Sequence, residues 1–124
     1  MKYVDGYVLV VPKKNFNKYK KMASEGGKIW KKYGVLGYFE CDWRWFKSWH
    51  GGMKMLGFQK MTKLKKNESV WFSFIIYKNK KHRDRVNKKI RDYFAKKYPD
   101  HKHEDMPWSM KRFSYGGFKA VVEK

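Results

Sequence analysis

From Tyr3 to Val11 the chain is rich in β-branched and aromatic residues and stops at Pro12, a residue that ends strand ladders, so a first strand is predicted there. Asn15 is placed to cap a helix starting near Phe16. Phe16, Tyr19, Ala23, Gly27 and Trp30 then recur at helical spacing, with lysines on the opposite face. Gly26 and Gly27 inside this helix each cost about 1 kcal/mol relative to alanine, a cost that points to close approach to a sheet, with a kink as the alternative. Tyr33-Gly34 ends the helix with glycine at the position that favours a left-handed residue. Val35 to Asp42 reads as a second strand, residues 43–57 as irregular, and Phe58 to Leu64 as a weakly alternating strand. After a turn at Lys65-Lys66-Asn67-Glu68, Ser69 to Tyr77 (SVWFSFIIY) is the strongest strand in the chain. Asn79 can cap a second helix from about Lys80 to Tyr98, with Val86, Ile90, Tyr93 and Phe94 as its apolar stripe and Pro99 as its stop. A loop follows, and Lys111 to Glu123 reads as a last strand. Its Gly116-Gly117 pair marks a bulge or close packing.

The order is β-α-β-(β)-β-α-β. It predicts one α+β domain over residues 1–124, a ferredoxin-like antiparallel sheet with two helices on one face. Both alternating sets of the strongest strand are apolar, however: Val70, Phe72, Phe74 and Ile76 on one side, Trp71, Ile75 and Tyr77 on the other. The first strand repeats this, with Val4, Val8 and Val10 against Tyr3, Tyr7, Leu9 and Val11. A sheet with helices on one side only is expected to be polar on the other. The expected cover for the second face is another copy of the chain, giving a homodimer.

Composition changes this picture in two ways. No apolar run approaches the roughly 20 residues of a membrane span, and the N-terminal apolar run is short, interrupted by Asp5 and Gly6, and lacks a cleavage pattern. The single cysteine cannot form an internal disulfide, so a cytoplasmic protein is expected. The formal net charge of +20 attracts phosphate polymers in principle. Yet 26 of the 31 basic residues are lysine, spread along the whole chain, whereas base and bidentate phosphate recognition favour arginine. A solvated basic surface is therefore preferred, and a nucleic-acid partner is not favoured.

The segments KYVDGYVLVVPKKN, GYFEC, KLKKNESVWFSFIIYKNKKHRDRVNKKI and MPWSMKRFSYGGF, in this order, resemble the YbaA-like proteins, small bacterial domains of unknown function. The resemblance implies the dimeric α/β-barrel superfamily of ferredoxin-like folds. It brings no activity, substrate, cofactor or catalytic residue. That wider superfamily includes small-ligand binders and cofactor-independent monooxygenases, so an enzyme is an alternative by analogy of fold alone. The chain departs from these relatives at DWRWFKSWHGGMKML, at KKYPDHKHED and in its charge.

Candidate sites follow from strand alternation. Asp5 shares a face with Tyr3, Tyr7 and Leu9. If that face is the dimer-facing one, a carboxylate there calls for a raised pKa or a cationic partner such as Arg112 or Lys111, as a functional group, as a structural salt bridge or at the rim of the barrel mouth. Tyr38, Glu40 and Asp42 share one face of the second strand. With Asp5 these acids suit either a pocket for a cationic or hydroxylated small molecule or ion pairing with the surrounding lysines. The ligand-binding candidates are thus Asp5, Tyr7, Tyr38, Glu40, Tyr77 and Arg112, and an enzyme would need a cavity centred on Asp5, Glu40 and Tyr77. Cys41, on the opposite face with Phe39, is expected to lie under a helix, and a nucleophile reading of it is weak. His82-Arg83-Asp84-Arg85 opens the second helix, and its arginines are expected to pair with acids of the Asp5 kind or stay solvated. His101 and His103 with Glu104 and Asp105 are metal-ligand types without signature spacing, so no metal and no cofactor are expected. Trp43, Trp45, Trp49 and His50 stand in a segment that reads as subunit packing, as a lid hinged at Gly51-Gly52, or as a base-stacking surface.

Overall fold

The computed structural model describes residues 1–43, 56–100 and 106–124. Four strands, β1 (Tyr3–Pro12), β2 (Gly37–Asp42), β3 (Glu68–Tyr77) and β4 (Ser114–Lys119), form one antiparallel sheet in the order β2-β3-β1-β4. Helix α1 (Phe16–Lys32) joins β1 to β2, and α3 (Lys80–Lys97) joins β3 to β4, with a single-turn α2 (Phe58–Met61) between β2 and β3. Each β-α-β unit therefore leaves a gap that a strand of the other unit fills, which is the ferredoxin-like arrangement. Ten cross-strand pairs from Tyr3↔Tyr77 to Pro12↔Glu68 make β1 and β3 the centre. Among the described residues no helix is long and apolar enough to cross a membrane.

The helix boundaries obey local chemistry. The Asn79 side chain accepts from the His82 backbone N–H at 2.8 Å and starts α3. Gly34 takes φ 97° just past α1, the left-handed turn that a β-carbon resists. Asn15 departs from expectation: its side chain caps nothing and instead donates to the Pro107 carbonyl at 3.2 Å, because a 3-10 turn at Lys13–Asn15 leads into α1. The weak strand expected over Phe58–Leu64 is the single turn of α2 followed by Lys63 at φ 53°. Its alternation was too short to compete with a helical turn that Thr62 closes by donating to the Phe58 carbonyl at 2.7 Å. The last strand is confined to Ser114–Lys119, and its register with β1 is continuous through Gly6↔Gly116 and Asp5↔Gly117. The glycine pair thus serves close packing and not a bulge: a β-carbon at Gly117 would run into the Tyr3 hydroxyl.

Both long helices lie on the face carrying Tyr3, Asp5, Tyr7, Leu9 and Val11. Under α1, Leu9, Val11 and Trp71 pack with Tyr19 and Ala23; under α3, Ile75 and Tyr77 pack with Val86, Ile90 and Val35. At Gly27 a β-carbon would meet the Tyr38 ring at 2.9 Å, so the glycine lets α1 settle directly on β2. The opposite face bears Val4, Val8, Phe39, Cys41, Phe72, Phe74, Ile76 and Phe118. Cys41 is exposed there, and Phe39 is 47% exposed, so neither lies under a helix as expected. The face of Tyr3, Asp5, Tyr7 and Leu9, expected to meet a second copy, is instead the one the helices cover. The reason is that α1 and α3 carry polar partners for its acids, while both faces hold apolar residues enough to read as buried.

Candidate functional site

Strand register places four polar side chains in one row across the helix-facing side of the sheet. Glu40 of β2 pairs with Ser73 of β3, Ser73 with Tyr7 of β1, and Tyr7 with Tyr115 of β4. Glu40 is the hub. Tyr38 donates its hydroxyl to one carboxylate oxygen at 2.9 Å; Tyr19, reaching down from α1, donates to the other at 2.8 Å, and the Ser73 hydroxyl donates to that same oxygen. Burial, and then the Glu40 charge, pushes the Tyr19 and Tyr38 phenols far above their usual range, so both remain proton donors at any ordinary pH. Tyr7 is raised by burial first and by Asp5 next. Its hydroxyl makes no hydrogen bond to any described residue, while its ring packs on Tyr115 at 5.1 Å.

Glu40, Ser73 and Tyr7 of this row form part of the wall of a cavity of about 960 Å³ between the sheet and the helix layer. Leu9, Ile75, Met22, Ile29, Phe94 and Phe113 supply apolar surface, and Trp30, Trp108, Tyr7, Tyr19 and Tyr38 supply aromatic rings. Such a volume falls in the range of small-molecule sites, which are mostly apolar with a few placed polar groups. A second hollow of about 320 Å³ opens beside it at the β2 edge. Ala23, Tyr38 and Glu40 line both, so the carboxylate stands between them beneath α1.

Asp5 and Tyr77, expected beside Glu40, belong to a separate cluster. Asp5 is 0% exposed and accepts from Arg83 Nε with both oxygens, at 3.1 and 3.2 Å, and from the Tyr115 hydroxyl at 3.0 Å. The same guanidinium donates to Asp84 at 2.8 Å and to the Tyr115 hydroxyl, and lies over the Tyr3 ring at 5.3 Å. This latch ties the start of α3 to β1 and β4. Tyr77 is fully buried beside it, its phenol pushed up by burial and by the Asp5 charge. Neither residue lines the cavity, so the centre expected for an enzyme is divided: Glu40 meets the hollow, while Asp5 is taken by an ion pair.

Arg112 is not the partner of Asp5. Its guanidinium grips Glu68 through two hydrogen bonds of 2.6 and 2.5 Å and donates to the Lys63 carbonyl at 3.2 Å. It thereby fastens the approach to β4 onto the start of β3. That hydrogen bonding holds the Glu68 carboxyl below its usual value. Arg83, one of the two arginines expected to seek an acid, is the one that reaches Asp5. Trp43 extends the ladder by donating its backbone N–H to Val70 at 2.8 Å. Trp45, Trp49, His50, His101 and His103 lie outside the described residues, and among the described ones no cluster of metal-ligating side chains occurs.

Tyr19 and Ser73 were not singled out in the sequence. Ser73 carried a signal: it is a small hydroxyl residue at an inward position between Trp71 and Ile75 in the middle of SVWFSFIIY, where an unpartnered polar atom is costly. Tyr19 carried none, because a tyrosine on the apolar stripe of a helix reads as core.

A family model described as "Protein of unknown function (DUF1428)" matches residues 2–110. Over 125 positions, covering the whole of both chains, the sequence is 36% identical to the uncharacterized protein YbaA of Escherichia coli strain K12, and equally to its namesake in Shigella flexneri.

Proposed function

The chain belongs to the DUF1428 family, whose description carries no activity, and from the site itself we propose that it is a homodimeric small-molecule-binding protein. The ligand sits between sheet and helices, its apolar body against Leu9, Ile75 and Trp108 and its polar end at Glu40. The supporting observation is the joint placement of a carboxylate oriented by three hydroxyl donors and a hollow large enough for a ligand. Titration calorimetry of the full chain with 1-naphthalenemethanol tests it. Binding that is lost when Met22→Trp fills the cavity wall supports the reading; binding unchanged by that substitution contradicts it.

The dimer rests on the opposite face. Apart from Glu68 at its margin, that face carries no charged side chain between Val4 and Val10 of β1, Gly37 and Cys41 of β2, Val70 and Ile76 of β3, or Ser114 and Phe118 of β4. Between two chains of net charge +20, an uncharged face is the surface where self-repulsion opposes contact least. Strands of ten, six, ten and six residues span on the order of 500 Å² of sheet, of which the end at Val10 and Val70 is already buried within the chain. The phenylalanines standing on it raise this toward the ~800 Å² per partner of a stable interface. Face-to-face stacking of two such sheets about a two-fold axis buries Phe39, Phe72 and Phe118 at once. Light scattering is expected to give twice the 15.1 kDa chain mass.

A further inference from the structure

Glu40 differs from most acids whose partners the structure shows. Asp42, at the β2 end, accepts from the Ser69 hydroxyl at 2.5 Å, where Glu40 has three hydroxyl donors. Asp5 and Glu68 pair with arginines, Asp84 with Lys80 and Arg83, Asp92 with Lys88, and Glu123 with Lys2. Glu40 accepts only from neutral hydroxyls, and among the described residues it has no ion-pair partner, in a chain with 31 basic residues to offer one. The three hydroxyls satisfy its geometry and leave its charge unbalanced. A carboxylate offers about four acceptor sites, so one remains for a further donor.

We propose that the ligand of this cavity is an organic cation, an amine whose ammonium group supplies the missing counter-charge at Glu40. The inference rests on the binding reading above and names the chemistry that reading leaves open. The surroundings suit a cation twice over. The rings of Tyr7, Trp30 and Trp108 line the same hollow, and aromatic rings attract ammonium groups most strongly away from water. The protein already uses this contact at the rim, where the Lys97 ammonium lies 5.6 and 5.5 Å from the Tyr93 and Tyr98 ring centres. Lys18, Glu25, Lys28 and Lys97 also border the cavity; among the described residues Glu25, on the α1 side, has no hydroxyl cage of the kind that holds Glu40. None of the lysines pairs with Glu40, and their charge opposes a cation's approach without supplying what the carboxylate lacks. A neutral alcohol fills the same acceptor site but leaves the charge as it was, and an anion faces Glu40 across a poorly screened space.

Three isosteric probes separate these cases: 1-naphthylmethylammonium, 1-naphthalenemethanol and 1-naphthoate, each titrated into the full-length wild type and into Glu40→Gln at pH 7. The expected result is at least tenfold tighter binding of the ammonium probe than of the alcohol in the wild type, with that preference abolished in Glu40→Gln. Equal or weaker binding of the ammonium probe overturns the cation inference while leaving the cavity reading intact. So does tightest binding by the naphthoate, which would assign the site to anions through the rim lysines. Because the wild-type comparison needs no variant, it stands even if Glu40→Gln folds poorly. Failure of all three probes to bind overturns the cavity reading and this inference with it.

Discussion

On the helix side of the sheet, β1 and β3 carry Asp5, Tyr7 and Ser73 among their apolar residues; on the open side the same strands carry Val4, Val8, Phe72 and Phe74. The helix side admits polar groups because α1 and α3 bring partners down to them: Tyr19 for Glu40 and Arg83 for Asp5. Among the described residues neither long helix covers the open side; Phe58 of α2 stacks on Phe72 at 6.3 Å, and Val10 and Val70 are buried at that end. The interior positions of this face are free of ionisable side chains other than Cys41. Its rings satisfy one another, Phe39 stacking on Phe74 at 4.7 Å and Phe74 tilting against Phe72 at 5.6 Å. Hydrogen bonds on one side give position and chemistry. Apolar area on the other gives a driving force for association without direction.

The contrast can be broken most severely at Arg83. Arg83→Ala leaves the fully buried Asp5 without its cation, and removal of one partner of a buried pair costs about 3–5 kcal/mol; urea unfolding should show that loss. On the open face, Phe72→Lys places a charge in the centre of the proposed interface. The expected outcome is a folded chain of 15.1 kDa by light scattering, with its circular dichroism kept. Gly27→Ala drives a methyl group into the Tyr38 ring and should cost about 1–2 kcal/mol, since overpacking outweighs the helix propensity gained. Ser73→Ala removes one of three donors to Glu40 and should cost about 1 kcal/mol.

The smallest effect concerns pH. Burial, ahead of the Lys78 and Arg85 charges, pulls the His82 imidazole below its ordinary 6.5, and its Nδ1 accepts from the Lys78 backbone N–H at 3.0 Å. The folded state therefore holds a neutral ring, while the unfolded chain takes up a proton as pH falls past 6.5. The stability His82 contributes is full above that value and declines below it, down through the folded-state pKa. Thermal melts from pH 7.5 to 5 should show the decline, and His82→Gln should flatten it.

The fold was legible because its signals are local. Pro12, Asn79, Gly34 and the apolar run of β3 each act within a few residues, and together they order the elements. The site was legible only in part. Alternation alone places Glu40 with Tyr38, and Asp5 with Tyr7, on single faces. Which face the helices cover depends on contacts across the fold, such as Tyr19 to Glu40 over 21 residues and Arg83 to Asp5 over 78. The Arg112 expectation failed for the same reason: an arginine near the C-terminus had two acids to choose from, and β3 carries Glu68 past it. Gly27 shows the reverse case, where an unfavourable local residue correctly announced a close approach to the sheet.

The division of roles between the two faces is tested most directly by amide NMR of the full chain during titration with 1-naphthalenemethanol. The account predicts shifts at Tyr7, Tyr19, Tyr38, Glu40 and Ser73, with Phe39, Phe72 and Phe118 unmoved. Shifts centred on Phe39, Phe72 and Phe118, with the Glu40 row silent, would contradict it.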